Sequence, residues 1–113
     1  MAVGFRIARR MHAVSPPIVA AFAALPVANV SDVMARMTAA GPALRLMHAG
    51  GVLAGPALTV KTRPGDNLMI HKAIDIAASG DIIIVDGGGD LTNALIGELM
   101  LAHAQKRGVG GFV

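Results

Sequence analysis

The chain has 113 residues, 54% of them hydrophobic and 15% charged, with a formal net charge of +3 and no cysteine. That length and apolar content exclude a disordered chain and set the expectation of one core in a single α/β domain spanning residues 1–113. The missing cysteine removes disulfides, thiolate nucleophiles and sulfur metal sites together, and apolar runs broken every few residues by Gly, Pro or a charge leave no segment to cross a membrane. A cytoplasmic location is the matching expectation.

Arg6, Arg9 and Arg10 precede the first acid, Asp32. With three Phe and no Trp or Tyr in the whole chain, these arginines lack the interleaved aromatics of a nucleic-acid arm and read as a solvated segment. The expected ligand is a small polar molecule, with no nucleic acid and no membrane as partner. Abundant Ala, Gly and Met alongside the apolar excess suggest close backbone packing and a buried interface between subunits.

Ser15-Pro16-Pro17 has the form of a helix start, with Ile18, Phe22 and Leu25 as its apolar stripe and Pro26 as its end. Asn29 and Asp32 stand in N-cap and N3 relation, which predicts a second short helix through Val33, Met34 and Met37 up to Gly41-Pro42. Beyond Leu44 the texture changes to short apolar segments. Leu58 to Arg63 alternates with period two, placing Leu58, Val60 and Thr62 on one face and Thr59, Lys61 and Arg63 on the other, as a strand requires. Pro64-Gly65 turns the chain, Asp66 or Asn67 caps a helix with the stripe Met69, Ile70, Ala73, Ile74 and Ala77, and Ser79-Gly80 closes it. Ile82 to Val85 is an unbroken β-branched run, the pattern of a strand covered on both faces.

Asp86-Gly87-Gly88-Gly89-Asp90 follows that strand and invites a phosphate or adenosyl-cofactor reading. It has neither the Gly-Lys-Ser/Thr ending of a P-loop nor a Gly-x-Gly-x-x-Gly opening a helix, so a tight turn is the simpler account. Gly97-Glu98-Leu99-Met100 presents a fork. One long helix from Thr92 to Arg107, capped by Thr92 or Asn93, would engage the amides of residues 98 to 100 with carbonyls four residues back. If instead Ala94 to Ile96 is a short strand and the helix begins at Gly97, those amides are free to hold a carboxylate at the positive end of the helix dipole. Sequence pattern leaves both branches open.

Lys61 and Lys72 are the candidates for a Schiff base, but neither position looks desolvated enough for the lowered pKa such chemistry needs. His71 and Asp75 lie one helical turn apart and could ligate a metal, although an exposed His four residues from an acid is ordinarily surface. His12, His48 and His103 add no ligand spacing.

Taken together, Gly55 to Asn67 (GPALTVKTRPGDN), Gly80 to Asp90 (GDIIIVDGGGD) and Asn93 to Met100 (NALIGELM) resemble the 4-hydroxy-4-methyl-2-oxoglutarate aldolases, which share a family with the regulator of ribonuclease activity A. Asn29-Val30-Ser31-Asp32 and Met47-His48-Ala49-Gly50-Gly51 fit the same pattern, so the likeness runs along essentially the whole chain. The resemblance implies a three-layered, swivelling-type α/β domain that assembles into homotrimers or homohexamers with sites between subunits. It implies a divalent metal cofactor, commonly magnesium, and retro-aldol cleavage of 4-hydroxy-4-methyl-2-oxoglutarate or 4-carboxy-4-hydroxy-2-oxoadipate to pyruvate and a second oxo acid, with oxaloacetate decarboxylation alongside. A metal that stabilises the pyruvate enolate makes a lysine imine unnecessary.

The family's carboxylate-binding backbone loop matches Gly97, Glu98, Leu99 and Met100, which favours the branch with a helix starting near Gly97. Family members continue past the strand resembling Gly108 to Val113 into an Asp-Gly-x-x-Arg-Asp segment that polarises the substrate and holds the metal. No Arg-Asp pair occurs in this chain, so no catalytic or metal-binding residue is carried over. The expectation is a C-terminally truncated aldolase with impaired chemistry. The alternative is a non-catalytic regulator that binds an RNA-degrading endonuclease, and a methyltransferase using the glycine loop is the weakest reading.

Overall fold

In the computed structural model, which describes residues 5–113, the elements run α1 (Pro16–Ala23), α2 (Val27–Val33), β1 (Ala57–Lys61), α3 (Leu68–Ile76), β2 (Ile82–Asp86), α4 (Glu98–Lys106) and β3 (Gly111–Phe112). The three strands form one parallel sheet in the order β1-β2-β3. Ala57 to Lys61 pair in register with Ile82 to Asp86, and Ile82 and Ile83 pair with Gly111 and Phe112. Parallel neighbours need a crossover, and α3 and α4 supply the two. Successive right-handed crossovers place both helices on the same face, where α3 contacts β1, β2 and α4.

The period-two reading of β1 holds: Leu58 is half-buried and Val60 and Thr62 are buried, while Thr59, Lys61 and Arg63 are exposed. The stripe of α3 also holds, with Ile70, Ala73, Ile74 and Ala77 buried against Val60, Ile83, Met100 and Ala104. Asp66 Oδ1 accepts the Leu68 N–H at 2.9 Å, and Asn67 takes the cap position. β2 is most deeply buried in its first half, where Ile83 is fully enclosed and Ile82 nearly so.

The opposite face of the sheet is less filled. Ile82, Ile84 and Val113 line one side of an apolar groove of about 530 Å³, and Ile18, Phe22 and Val30 from α1 and α2 line the other. This is the α/β architecture expected from the sequence, a parallel sheet flanked by helices, in which the third layer stands off from the strands.

Two local expectations are corrected. The helix after Pro26 starts at Val27 with Pro26 itself as N-cap, so Asn29 lies inside it and caps nothing. Proline cannot continue α1, and its fixed φ begins the next helix at once. Positive φ at Ala35 and Arg36 ends the helical path, leaving Met37 outside, and Asp32 binds Arg36 Nε at 2.6 Å. The second correction concerns Ala94 to Ile96, which form no strand: they run irregularly from the glycine turn into α4.

Candidate functional site

In parallel βαβ units a helix runs back against the strands, so α3 and α4 both begin at the carboxyl end of the sheet. Ligands of open α/β sheets bind at that end. Three segments meet there: Arg63 to Asn67 after β1, Asp86 to Asp90 after β2, and Asn93 to Gly97 before α4. Asn67 joins the first to the third, its Nδ2 donating to Leu95 O at 3.2 Å, with Met100 Sδ at 3.7 Å. The glycine turn packs closely on both neighbours: a Cβ at Gly87 would lie 3.1 Å from Leu95 Cδ1, and one at Gly88 would lie 3.3 Å from the Pro64 ring.

The triple glycine itself is a turn. Gly88 and Gly89 have φ of 72° and 71°, and Gly88 N–H is taken by Asp86 Oδ1 at 3.0 Å. Asp90 closes the next step by accepting both the N–H and the Oγ1 of Thr92, at 2.9 and 2.8 Å. Those two bonds hold the exposed Asp90 carboxyl below the usual carboxylate range, the backbone bond being the larger cause.

The fork at Gly97 resolves in favour of the short helix. Gly97 is the extended N-cap of α4, with φ −126° and ψ 177° and no side-chain cap. The first intrahelical bond is Leu101 N–H to Gly97 O at 3.1 Å. Among the described residues nothing accepts the N–H groups of Glu98, Leu99 or Met100. Glu98 and Leu99 are exposed, and Met100 is anchored in the core. Neither backbone angle nor crowding requires glycine at the cap, since a Cβ there would meet nothing within 4 Å. Three unpaired donors, the positive end of the helix and an open approach make a place where an oxyanion can sit. Glu98 adds an acid in the same first turn and opposes that anion.

The remaining candidates separate. Lys61 Nζ lies 3.8 Å from Asp86 Oδ2 and its side chain is 86% exposed, so it has none of the desolvation that would prime an imine. Lys72 is likewise exposed. His71 and Asp75 do not converge: Asp75 faces His103 of α4 at 3.8 Å instead. Among the described residues no group of three or more His, Asp or Glu side chains comes together to hold a metal ion. The described residues thus form no all-protein metal cage, and no chemical step is routed through a cation. Sequence pattern missed Asn67 as the staple between the loops, although its place between a turn and an apolar helix marked it for a local polar role.

The family described as RraA-like, Aldolase/RraA, matches residues 27–113. A protein of Halalkalibacterium halodurans named as a candidate 4-hydroxy-4-methyl-2-oxoglutarate aldolase is 35% identical over 92 residues, which cover 81% of this chain and 44% of that protein. Proteins of the same name from Burkholderia multivorans and Cupriavidus necator are 39% and 36% identical over 72 residues, covering 64% of this chain and 43% of each relative. The chain thus spans under half the length of these curated relatives, at 44% and 43%. No solved structure matches it. The chain belongs to the RraA-like aldolase family.

Proposed function

We propose that this member of the RraA-like family contributes the pyruvate-carboxylate cradle of a metal-dependent oxo-acid aldolase. The three unpaired amides of Glu98, Leu99 and Met100 at the sheet's carboxyl end carry the reading. The whole protein's reaction, on this reading, is cleavage of 4-hydroxy-4-methyl-2-oxoglutarate or 4-carboxy-4-hydroxy-2-oxoadipate. The bond between C3 and C4 breaks as the C4 hydroxyl loses its proton and becomes the second oxo acid's carbonyl. The electron pair stays on C3 as pyruvate enolate, which a proton quenches. Oxaloacetate decarboxylation leaves the same enolate.

Within this chain the amides bind and orient the substrate carboxylate, and Asn67 holds the segment before α4 in place through Leu95 O. Among the described residues no three His, Asp or Glu side chains come together to hold an enolate-stabilising metal, and on this reading the isolated chain should cleave substrate poorly or not at all. Magnesium as cofactor, assembly as a trimer or hexamer and a cytoplasmic location belong to the same proposal.

Proline substitution gives a direct test. Glu98→Pro removes one free N–H without removing an intrahelical bond, and the extended Gly97 is compatible with a following proline. Glu98→Gln removes the opposing charge and keeps the N–H. Titration with pyruvate, read from backbone amide shifts at Leu99 and Met100, should show tighter binding in Glu98→Gln than in the parent and weaker binding in Glu98→Pro. Absence of any shift at these amides would overturn the cradle. Assays of 4-carboxy-4-hydroxy-2-oxoadipate cleavage with magnesium and with chelator address the metal separately, since borohydride trapping of a lysine adduct would refute metal dependence.

A further inference from the structure

A second concavity lies on the outer side of β1, away from the start of α4. Residues 5–12 run along that edge in the opposite direction to the strand. Phe5 stands beside Lys61, Arg63 and Met69 at the carboxyl end, and Arg10 reaches the amino end of β2. Arg10 Nη1 binds Asp81 Oδ1 at 2.9 Å, and Asp81 is 1% exposed, so a buried carboxylate latches the arm. Between arm, β1 and α3 is a cavity of about 420 Å³, within the ordinary size range of small-molecule sites.

Its charge is one-sided. Arg6, Arg9, Arg10, His12, Lys61 and Lys72 line it and no Asp or Glu does. Arg10 is spent on Asp81, and Lys61 has Asp86 at 3.8 Å, but among the described residues Arg6, Arg9, His12 and Lys72 form no ion pair. Walls carrying one sign of charge focus potential into a cleft and concentrate the opposite ion there.

The strand adds donors of its own. Among the described residues no backbone hydrogen bond joins the arm to β1. Thr62 N–H donates to Asp86 O at 3.0 Å, so alternation along β1 turns the N–H groups of Ala57, Thr59 and Lys61 outward, and all three residues line the cavity.

We propose that this cavity is a second ligand site, for a small oxyanion carrying at least two negative charges, either a phosphate ester or a di- or tricarboxylate. Arg6, Arg9, His12 and Lys72 surround the anion, Met69 and Ile76 supply its apolar wall, and the free edge of β1 offers N–H donors. The site shares no residue with the start of α4, so the fate of the carboxylate cradle leaves it untouched.

Isothermal titration calorimetry of the full chain at low ionic strength, with citrate and with pyrophosphate as probes, tests it. Arg6→Gln/Arg9→Gln and, separately, Lys72→Gln should each weaken binding about tenfold or more, as loss of charge-assisted contacts does. Lys106→Gln, on α4 outside the lining, should leave it unchanged. Lys72 is exposed, so its substitution leaves the fold intact and keeps the comparison valid should the arm variant detach. Binding of citrate alone supports a carboxylate ligand, of pyrophosphate alone a phosphate ester, and of both a site read by charge. No heat with either probe, an equal loss in Lys106→Gln, or tight binding of a short single-stranded RNA with no small-anion binding would overturn it.

Discussion

At the scale of single residues, two carboxylates show what burial changes. Asp81 is 1% exposed and accepts the Ala78 N–H at 2.8 Å as well as Arg10. Removing its cation leaves a buried charge with one N–H for company, whereas neutralising the carboxylate releases a guanidinium that is already 29% exposed. Arg10→Gln should therefore cost about 2 kcal/mol, below the full price of breaking an enclosed pair because water reaches one partner, and Asp81→Asn about 1 kcal/mol. Urea denaturation of both singles and the double variant measures this, and equal losses in the two singles would contradict it. Asp90 is the opposite case, half-buried as a residue and held, among the described residues, by Thr92 alone. A carboxyl depressed in the folded state contributes stability above its unfolded pKa and loses it as pH falls through the folded value. The Asp90–Thr92 turn should stay closed at neutral pH and open only in acid, below the ordinary carboxylate range of about 4. In Thr92→Val one of the two bonds is gone, so the Asp90 titration followed by NMR should move up toward that ordinary range.

At the scale of elements, α4 is informative because its ends use glycine for different reasons. Gly108 has φ 77°, and its N–H and that of Val109 bond to Gln105 O and Ala104 O at 2.9 and 3.0 Å, the paired closure of a Schellman motif. A Cβ at Gly108 would lie 2.6 Å from Ser79 Oγ and 3.1 Å from Ser79 Cβ. Gly108→Ala should cost about 2 kcal/mol from the left-handed backbone and the crowding together. Gly97→Ala, at φ −126° in open space, should change stability by less than about 0.5 kcal/mol, since lost cap preference and reduced unfolded-state freedom oppose each other. Thermal unfolding of the pair separates a structural glycine from a replaceable one. Pattern reading could not rank them, because φ depends on the path the chain takes into and out of the helix. The stripes of β1 and α3 were legible for the converse reason: Leu58, Val60, Ile70 and Ala73 face one core and their spacing states which side is inside. The start of α2 was misread because two punctuation signals competed, and Pro26 overrode the capping pattern of Asn29 and Asp32. The carboxylate cradle is different again, since nothing in Gly97 to Met100 marks free amides until the path of residues 94–96 is fixed, and only resemblance chose between the two branches.

At the scale of the whole molecule, the two faces of the sheet differ in how well they are filled. The face under α3 and α4 encloses Ile70, Ile74 and Ile83 completely, while across the groove Ile18, Phe22 and Leu25 remain 49%, 53% and 52% exposed. The stripe of α1 was legible in the sequence, but a periodic stripe says only that a helix has an apolar side, never that the side finds a partner. Among the described residues no single helix is long and apolar enough to cross a membrane, and α1 and α2 reach that length and apolarity only as a pair bent by 106°. Local stability should follow burial. Amide exchange should be slowest in β2, α3 and the buried turns of α4, and much faster throughout α1 and α2, because no tight contact couples their opening to that of the core. Burial also sets the outcome of substitution. Phe22→Asp removes an apolar ring that the core does not use, so the exchange of α3 and β2 should stay within about 0.5 kcal/mol of the parent, as surface changes do. The same variant places a charge in a groove otherwise lined by Ile82, Ile84 and Val113, and should sharply reduce binding of a hydrophobic dye and any concentration-dependent association seen by sedimentation. If Phe22→Asp instead accelerated exchange across β2 and α3, the N-terminal helices would be part of the cooperative core.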